Sequence, residues 1–419
     1  MIPRRHRDSF GDRSVKTAKS RCRRPADVSV EPLFSRRMAT LVKGVAVILL
    51  VLHHLFLFPS VRPGFVDLFG GAAGRVEFFL SSVGKICIPM FFFVSGYGLY
   101  LSSQRDEQPW RSSFRRIARI YTVYCVSVSV TVVLLYLSSG RWALRSVSQT
   151  VTTYLGLNVG INGGWWFFII YVELLLLTPL MVYLTRRFSW KTPALLSLLL
   201  YLLSPAGGFT GFSRLVDQAG LSSLFYSSFP IRLFWYNQLY FCTGFCLAAG
   251  NGFETVLRAG FRVLANPLQR RGAALLFISL IFLFRYNLVR IGAWLGIFDI
   301  KDMDIYRYTA VNTWLDWLLG PLLLFFLVLL LHGGRWAVLR FLGSHSAAIW
   351  LIHGAVIVLV TGNIGDFRPW SPLLFAAVLG LSCGYAWLYG EIAGRVGRRL
   401  AFFSRTPLRP STWSGEGKR

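Results

Sequence analysis

The stretch 40-TLVKGVAVILLVLHHLFLFP-59 decides the fold. Between Lys43 and His53 it is apolar without interruption. Together with the apolar residues up to Phe58 it is long enough, at about 1.5 Å per residue, to cross most of a bilayer core. It reads as a first transmembrane helix that carries two histidines, His53 and His54, near its far end. An ionisable side chain inside a span is costly and marks a functional site. Lys43 and His54 lie eleven positions apart, about three turns, and so share one helix face at a separation of roughly 16 Å. His53 is rotated by about 100° from that face.

Working outward, the 419 residues are 54% hydrophobic and only 15% charged, where an ordinary soluble domain is nearer a quarter charged. Apolar runs of spanning length recur to the C-terminus, so the expected fold is an all-α, polytopic integral membrane protein. The net charge of +27 sits in loops and tails between apolar runs, without a zinc-finger, RNA-binding or helix-turn-helix pattern. It reads as inside-positive flanking and not as a nucleic-acid surface. Of the six cysteines, all but Cys22 lie in apolar runs, which supports neither a disulfide framework nor a metal site.

After the first helix we expect nine more, at about 83–102, 116–138, 164–185, 192–206, 233–250, 272–288, 311–331, 341–361 and 372–393, about ten in all. Flanking them are a disordered basic cytosolic tail over 1–38 and a second basic cytosolic tail over 395–419, with the membrane domain spanning 39–394. With the N-terminus inside, 33 of the 45 Lys and Arg fall in segments on the cytosolic side. An even number of spans with both termini cytosolic satisfies that bias. The expected location is the plasma (cytoplasmic) membrane.

Acidic residues inside the spans are scarce: Glu173 in the fourth, Asp316 in the eighth and Glu391 near the end of the tenth. Measured from the flanking Arg186 and Arg340, Glu173 and His353 each lie about 20 Å up their helices, in the same layer as His54. A carboxylate and two imidazoles at one depth suit a buried acid/base site. Glu173 is equally readable as a hydrogen-bond partner between helices, and Asp316, further out, reads as structural. His345 and His332 read as residues of the inner surface. Arg115, Arg116 and Arg119 introduce the third helix, with Arg116 and Arg119 on adjoining positions of one face. Guanidinium forks suit a polyphosphate such as coenzyme A, and they also suit plain inside-positive flanking.

These pieces in this order resemble the membrane acyltransferase-3 family. In that family a basic residue, ten intervening residues and a catalytic His stand on the first helix, as Lys43 and His54 do here; many members have Arg at the first position. The run 88-IPMFFFVSGYGLYL-101 is similar to the family's phenylalanine-rich second helix ending in Ser-Gly, here Ser95 and Gly96. Arg116-Ile-Ala-Arg119 resembles its R-x-x-R element. Trp166-Phe167-Phe168 with Pro179 resembles its W-F-L segment and downstream proline. The run 342-LGSHSAAIWLIH-353 resembles its late-helix signature with a closing His.

The resemblance implies a stand-alone member without the SGNH hydrolase-like domain. Its activity would be to move an acyl group, with acetyl the expected one, from cytosolic acyl-coenzyme A to a hydroxyl of an extracytoplasmic or lipid-linked glycan. It implies acyl-CoA as donor substrate and no permanently bound cofactor or metal. Lys43, Arg116 and Arg119 would hold the donor. His54 would act as base or nucleophile, with Glu173 or His353 orienting it. Trp165 and Trp166 would either face a sugar or anchor the interface. The alternative is a transporter or flippase for a lipid-linked glycan, against which the lack of an internal repeat counts.

Overall fold

In the computed structural model the described residues are 32–57, 64–71, 74–104, 106–203, 229–296, 313, 315–364 and 367–404. The expected tails therefore lie largely outside them, at 1–31 and 405–419, as do the ends of two expected spans at 204–206 and 311–312. Among the described residues the fold is all-α, with no strand beyond a single bridge between Val66 and Trp370.

Ser35 opens the first helix, α1 (Arg36–Phe56), its hydroxyl accepting from the Met38 amide. The second apolar stretch is broken into α2 (Arg75–Gly84) and α3 (Cys87–Ser103). Then come α4 (Pro109–Ser139), the short α5 (Val147–Tyr154), a 3-10 turn at Gly163–Trp165 that runs into α6 (Trp166–Arg187), and α7 (Lys191–Leu203). Next are α8 (Phe229–Ala249), α9 (Gly252–Val263) and α10 (Pro267–Trp294). The order closes with α11 (Asp316–Leu331), α12 (Ala337–Ser344), α13 (Ser346–Gly362) and α14 (Ser371–Ser404).

Among the described residues six stretches are long and apolar enough to cross a membrane: α1, α2 with α3, α4, the 3-10 turn with α6, α10, and α14 as far as Arg395. A seventh follows if α12 and α13, bent by 83° at their junction, are one span. This is the multi-pass membrane architecture expected; a count of ten spans is not reached among the described residues. Lys191–Leu202 and Asp316–Leu331 are apolar yet shorter than 18 residues. The ninth expected span is a bent pair and not a straight rod, with His345 at the corner. Three helices not expected from the sequence, α5, α9 and nearly all of α2, which precedes the expected start at 83, sit where loops were read. In α9 the Glu254 carboxylate accepts from the Leu33 and Phe34 amides and pairs with Arg258, which ties the approach to α1 onto this helix.

Burial separates an inner from an outer set. The spanning windows of α1 and of α2–α3 are 61% and 72% buried, those of α10 and α14 only 22% each. The outer helices turn apolar side chains such as Leu276, Phe284 and Leu388 outward, as a lipid-facing surface requires. The inner helices approach one another at small residues. A Cβ on Gly343 of α12 would overlap the Thr40 carbonyl of α1, and one on Gly44 would overlap the Leu339 carbonyl. The Gly96–Gly244 crossing of α3 and α8 is alike, each glycine lying against a backbone carbonyl of the other helix. Gly96 of the Ser-Gly pair is thus explained by close packing.

Candidate active site

His54 on α1 and His353 on α13 meet at the centre of the inner set. Their ring centroids are 4.8 Å apart at 70°. His53 lies on the other side of His54, ring centroids 5.0 Å apart at 86°, so the His54 imidazole is wedged edge-to-face between two others. His54 is half-buried, whereas His53 and His353 are 4% and 0% exposed.

The tautomers follow from the hydrogen bonds. His54 Nδ1 lies 3.1 Å from the Leu50 carbonyl, one turn back on the same helix. His353 Nδ1 lies against the Trp350 carbonyl in the same way. A carbonyl only accepts, so each Nδ1 carries the proton and each Nε2 carries the lone pair. In His353 that Nε2 is buried and has no hydrogen-bond partner among the described residues. Close by are Gly164 and Asn162, whose amide oxygen accepts from the Gly164 amide. Asn162 is a site neighbour that sequence reading passed over; a lone Asn in a Gly-rich loop carries no distinguishing signal.

Glu173 does not join this pair. Among the described residues no hydrogen bond links it to either imidazole, and its Oε2 is itself buried without a partner. Depth along a helix fixes the layer but not the direction in which a side chain points, which is why the expected carboxylate–imidazole contact is not made. Backbone carbonyls orient the two rings instead. Trp165 also departs from its expected role: it is fully buried, its Nε1–H donates to the Leu351 carbonyl at 2.8 Å, and its ring meets Tyr124 edge-on. No face is left for a sugar or for the membrane interface. Trp166 is half-buried against Phe167. Asp316, read as structural, forms a fully buried ion pair with Arg285 near the end of the expected span 272–288.

Below the imidazoles lies a cavity of about 170 Å3 between α1, α3, α4, α6 and α13. Lys43, Ser95, Tyr171 and Ser346 bring polar groups to it, and Phe167 and Trp350 form an aromatic wall, their ring centroids 4.2 Å apart. Trp350 is pinned by its Nε1–H on the Gly164 carbonyl at 3.2 Å and stands one turn before His353, so the cavity reaches to within a turn of the imidazole pair. Lys43 lines this cavity, and His54 meets His353 one turn beyond Trp350 of the same lining.

Arg116 precedes the cavity residue Ile120 by one turn on the same face of α4. It is half-buried and donates to Ser102 Oγ at 2.9 Å. Arg119 is exposed. Arg186 adds a third cation at the end of α3 by donating to the Ser103 carbonyl at 2.9 Å, where the helix dipole favours positive charge. In the connection between α3 and α4, hydrogen bonds from the Ser112 hydroxyl and the Gln108 amide hold the Asp106 carboxyl below its usual range. Of the expected site residues Lys43 lines this cavity; Arg116 stands one turn from its residue Ile120 and the His54–His353 pair one turn beyond its residue Trp350, whereas Arg119 and Glu173 are not among the lining residues.

A basic entrance, a polar-floored apolar chamber and a pair of imidazoles with Nε2 lone pairs can bind a polyanion and move a proton at a reacting hydroxyl. No curated protein and no solved structure matches the chain. The family model described as "Acyltransferase domain" matches residues 39–390, from α1 through most of α14. The chain belongs to the acyltransferase-3 family of membrane acyltransferases.

Proposed function

We propose that the protein is an O-acyltransferase of the cytoplasmic membrane, with both termini cytosolic. It carries an acetyl group from cytosolic acetyl-coenzyme A to a hydroxyl of an extracytoplasmic or lipid-linked glycan. The observation that carries this reading is the His54–His353 pair above the Lys43 cavity, with each Nδ1–H fixed to a backbone carbonyl.

Lys43 and Arg116 hold the donor's phosphates on the cytosolic side, with the exposed Arg119 reaching only the part of the donor outside the cavity, and the thioester arm extends through the cavity toward His54. A rise of about 16 Å from Lys43 to His54 suits a long flexible arm that presents a reacting carbonyl. His54 Nε2 removes the proton from the acceptor hydroxyl as its oxygen attacks the thioester carbonyl. The C–O bond forms, the C–S bond breaks, and the imidazolium returns its proton to the departing thiolate. His353 Nε2, buried beside it, accepts a hydrogen bond from a second hydroxyl of the acceptor and so holds the reacting one in line. Trp166, the half-buried member of the tryptophan pair, borders the acceptor side.

The test supplies acetyl-labelled coenzyme A to membranes that contain the protein and to membranes that lack it. Alkali-labile label in the glycan fraction of the first alone supports both donor and acceptor. Glycan transport without any labelled ester would overturn the reading in favour of a carrier.

A further inference from the structure

The sequence between α2 and α3 interrupts an apolar stretch of 29 residues, and this break lies against His53. A break inside an apolar protein frees helix-end carbonyls that must find donors. Two side chains from other helices supply them. His53 Nδ1–H donates to the Ser81 carbonyl at 2.9 Å. Arg285 Nη1 of α10 donates to the Ser82 carbonyl at 2.6 Å. Arg285 is in turn clamped by Asp316 of α11, Nε to Oδ1 at 2.8 Å and Nη2 to Oδ2 at 2.9 Å, with both residues fully buried.

Gly84 completes the contact: a Cβ there would stand 2.5 Å from the Leu49 carbonyl and 3.1 Å from His53 Cβ, so the end of α2 rests directly on α1 at the base of His53. A helix is stiff, so a clamp on His53 sets the rotation and height of the next residue, His54, whose ring already leans edge-on against that of His53. A buried ion pair contributes little net stability compared with an apolar replacement, and its best-attested use is to fix one arrangement.

We propose that His53, Arg285 and Asp316 are positioning residues for the reaction: through the carbonyls of Ser81 and Ser82 they fix the α2–α3 break against α1 and so aim the His54 imidazole. This rests on the assignment of His54 as the reacting base. None of the three needs to touch either substrate.

The test pairs turnover with a measurement that needs no turnover. His53→Leu removes the donor to Ser81, while His53→Asn keeps an N–H at nearly the same place. Arg285→Met with Asp316→Leu removes the ion pair without leaving a buried lone charge, which keeps the variant foldable, but strips Ser82 of its donor. Each protein is purified in detergent, shown to be folded by its thermal transition, and treated with diethyl pyrocarbonate. The rate of carbethoxylation at His54 is then read by mass spectrometry against His353.

The expected result is a change of threefold or more in the His54 rate for His53→Leu and for the double variant, with His53→Asn close to wild type. In transfer assays the first two lose tenfold or more in kcat, with KM for the donor unchanged within twofold. Folded His53→Leu and double variants with wild-type labelling and wild-type kcat would overturn the proposal. If no protein transfers acetyl, the acyltransfer reading falls while the labelling comparison still decides the positioning.

Discussion

Two polar clusters are buried side by side in this apolar protein, and they treat their hydrogen-bonding capacity in opposite ways. At Arg285–Asp316 all three guanidinium nitrogens are bonded, two to the carboxylate and one to the Ser82 carbonyl. At His353 one ring nitrogen is held and the other is left buried without a partner among the described residues. A saturated buried cluster fixes a backbone. An unsaturated one is costly unless a ligand completes it, so unspent capacity points to chemistry.

The contrast breaks most visibly on stability. Asp316→Ala leaves a buried guanidinium unpaired and is expected to cost about 3–5 kcal/mol, read as a lowered thermal midpoint in detergent. A midpoint equal to wild type would show that the cluster is not what holds the break. Next in size, Gly343→Ala forces α12 off the Thr40 carbonyl of α1, with an expected loss of about 1–3 kcal/mol. Denaturation curves should show it, together with reduced transfer, because α12 leads directly into the helix that carries His353. Trp165→Phe keeps an aromatic ring but removes the hydrogen bond to Leu351 and leaves a small void, for about 1–2 kcal/mol. Transfer per folded molecule should stay near wild type, and a large fall would restore Trp165 to the substrate. Smallest on stability is His353→Leu: deleting an unsatisfied nitrogen should leave the midpoint unchanged within about 1 kcal/mol or raise it, while transfer falls. Destabilisation on the scale of Asp316→Ala would place His353 with the scaffold.

Much of this was legible in the sequence because apolar length and intramembrane charge are strong signals. The first helix, its Lys43–His54 face, the paired histidines at one depth and the structural reading of Asp316 all follow from spacing and composition. What escaped depends on direction and on breaks. Glu173 sits at the right height, yet its bearing around α6 is set by packing that no periodicity reports. The bend at His345 carries no proline, and only Gly343 and the flanking serines hint at it. In the α2–α3 region the polar cluster Ser81-Ser82-Val-Gly84-Lys85 places the start of the expected span at 83, so α2, on the far side of the break, went unseen. The partner of Asp316, Arg285, escaped because it stands near the end of the expected span 272–288, where an arginine looks like a flanking charge until its carboxylate is seen. Amphipathic α9 was read as loop because its charged face resembles inside-positive flanking.

The most direct measurement of the central claim is the rate of acetyl transfer by purified protein in liposomes, wild type against His54→Ala, at equal folded amounts and with acetyl-coenzyme A and acceptor saturating. Loss of a general base predicts a fall of about 10²–10⁴-fold in kcat, with donor binding retained. Equal rates in the two proteins would contradict the account and remove His54 from the chemistry.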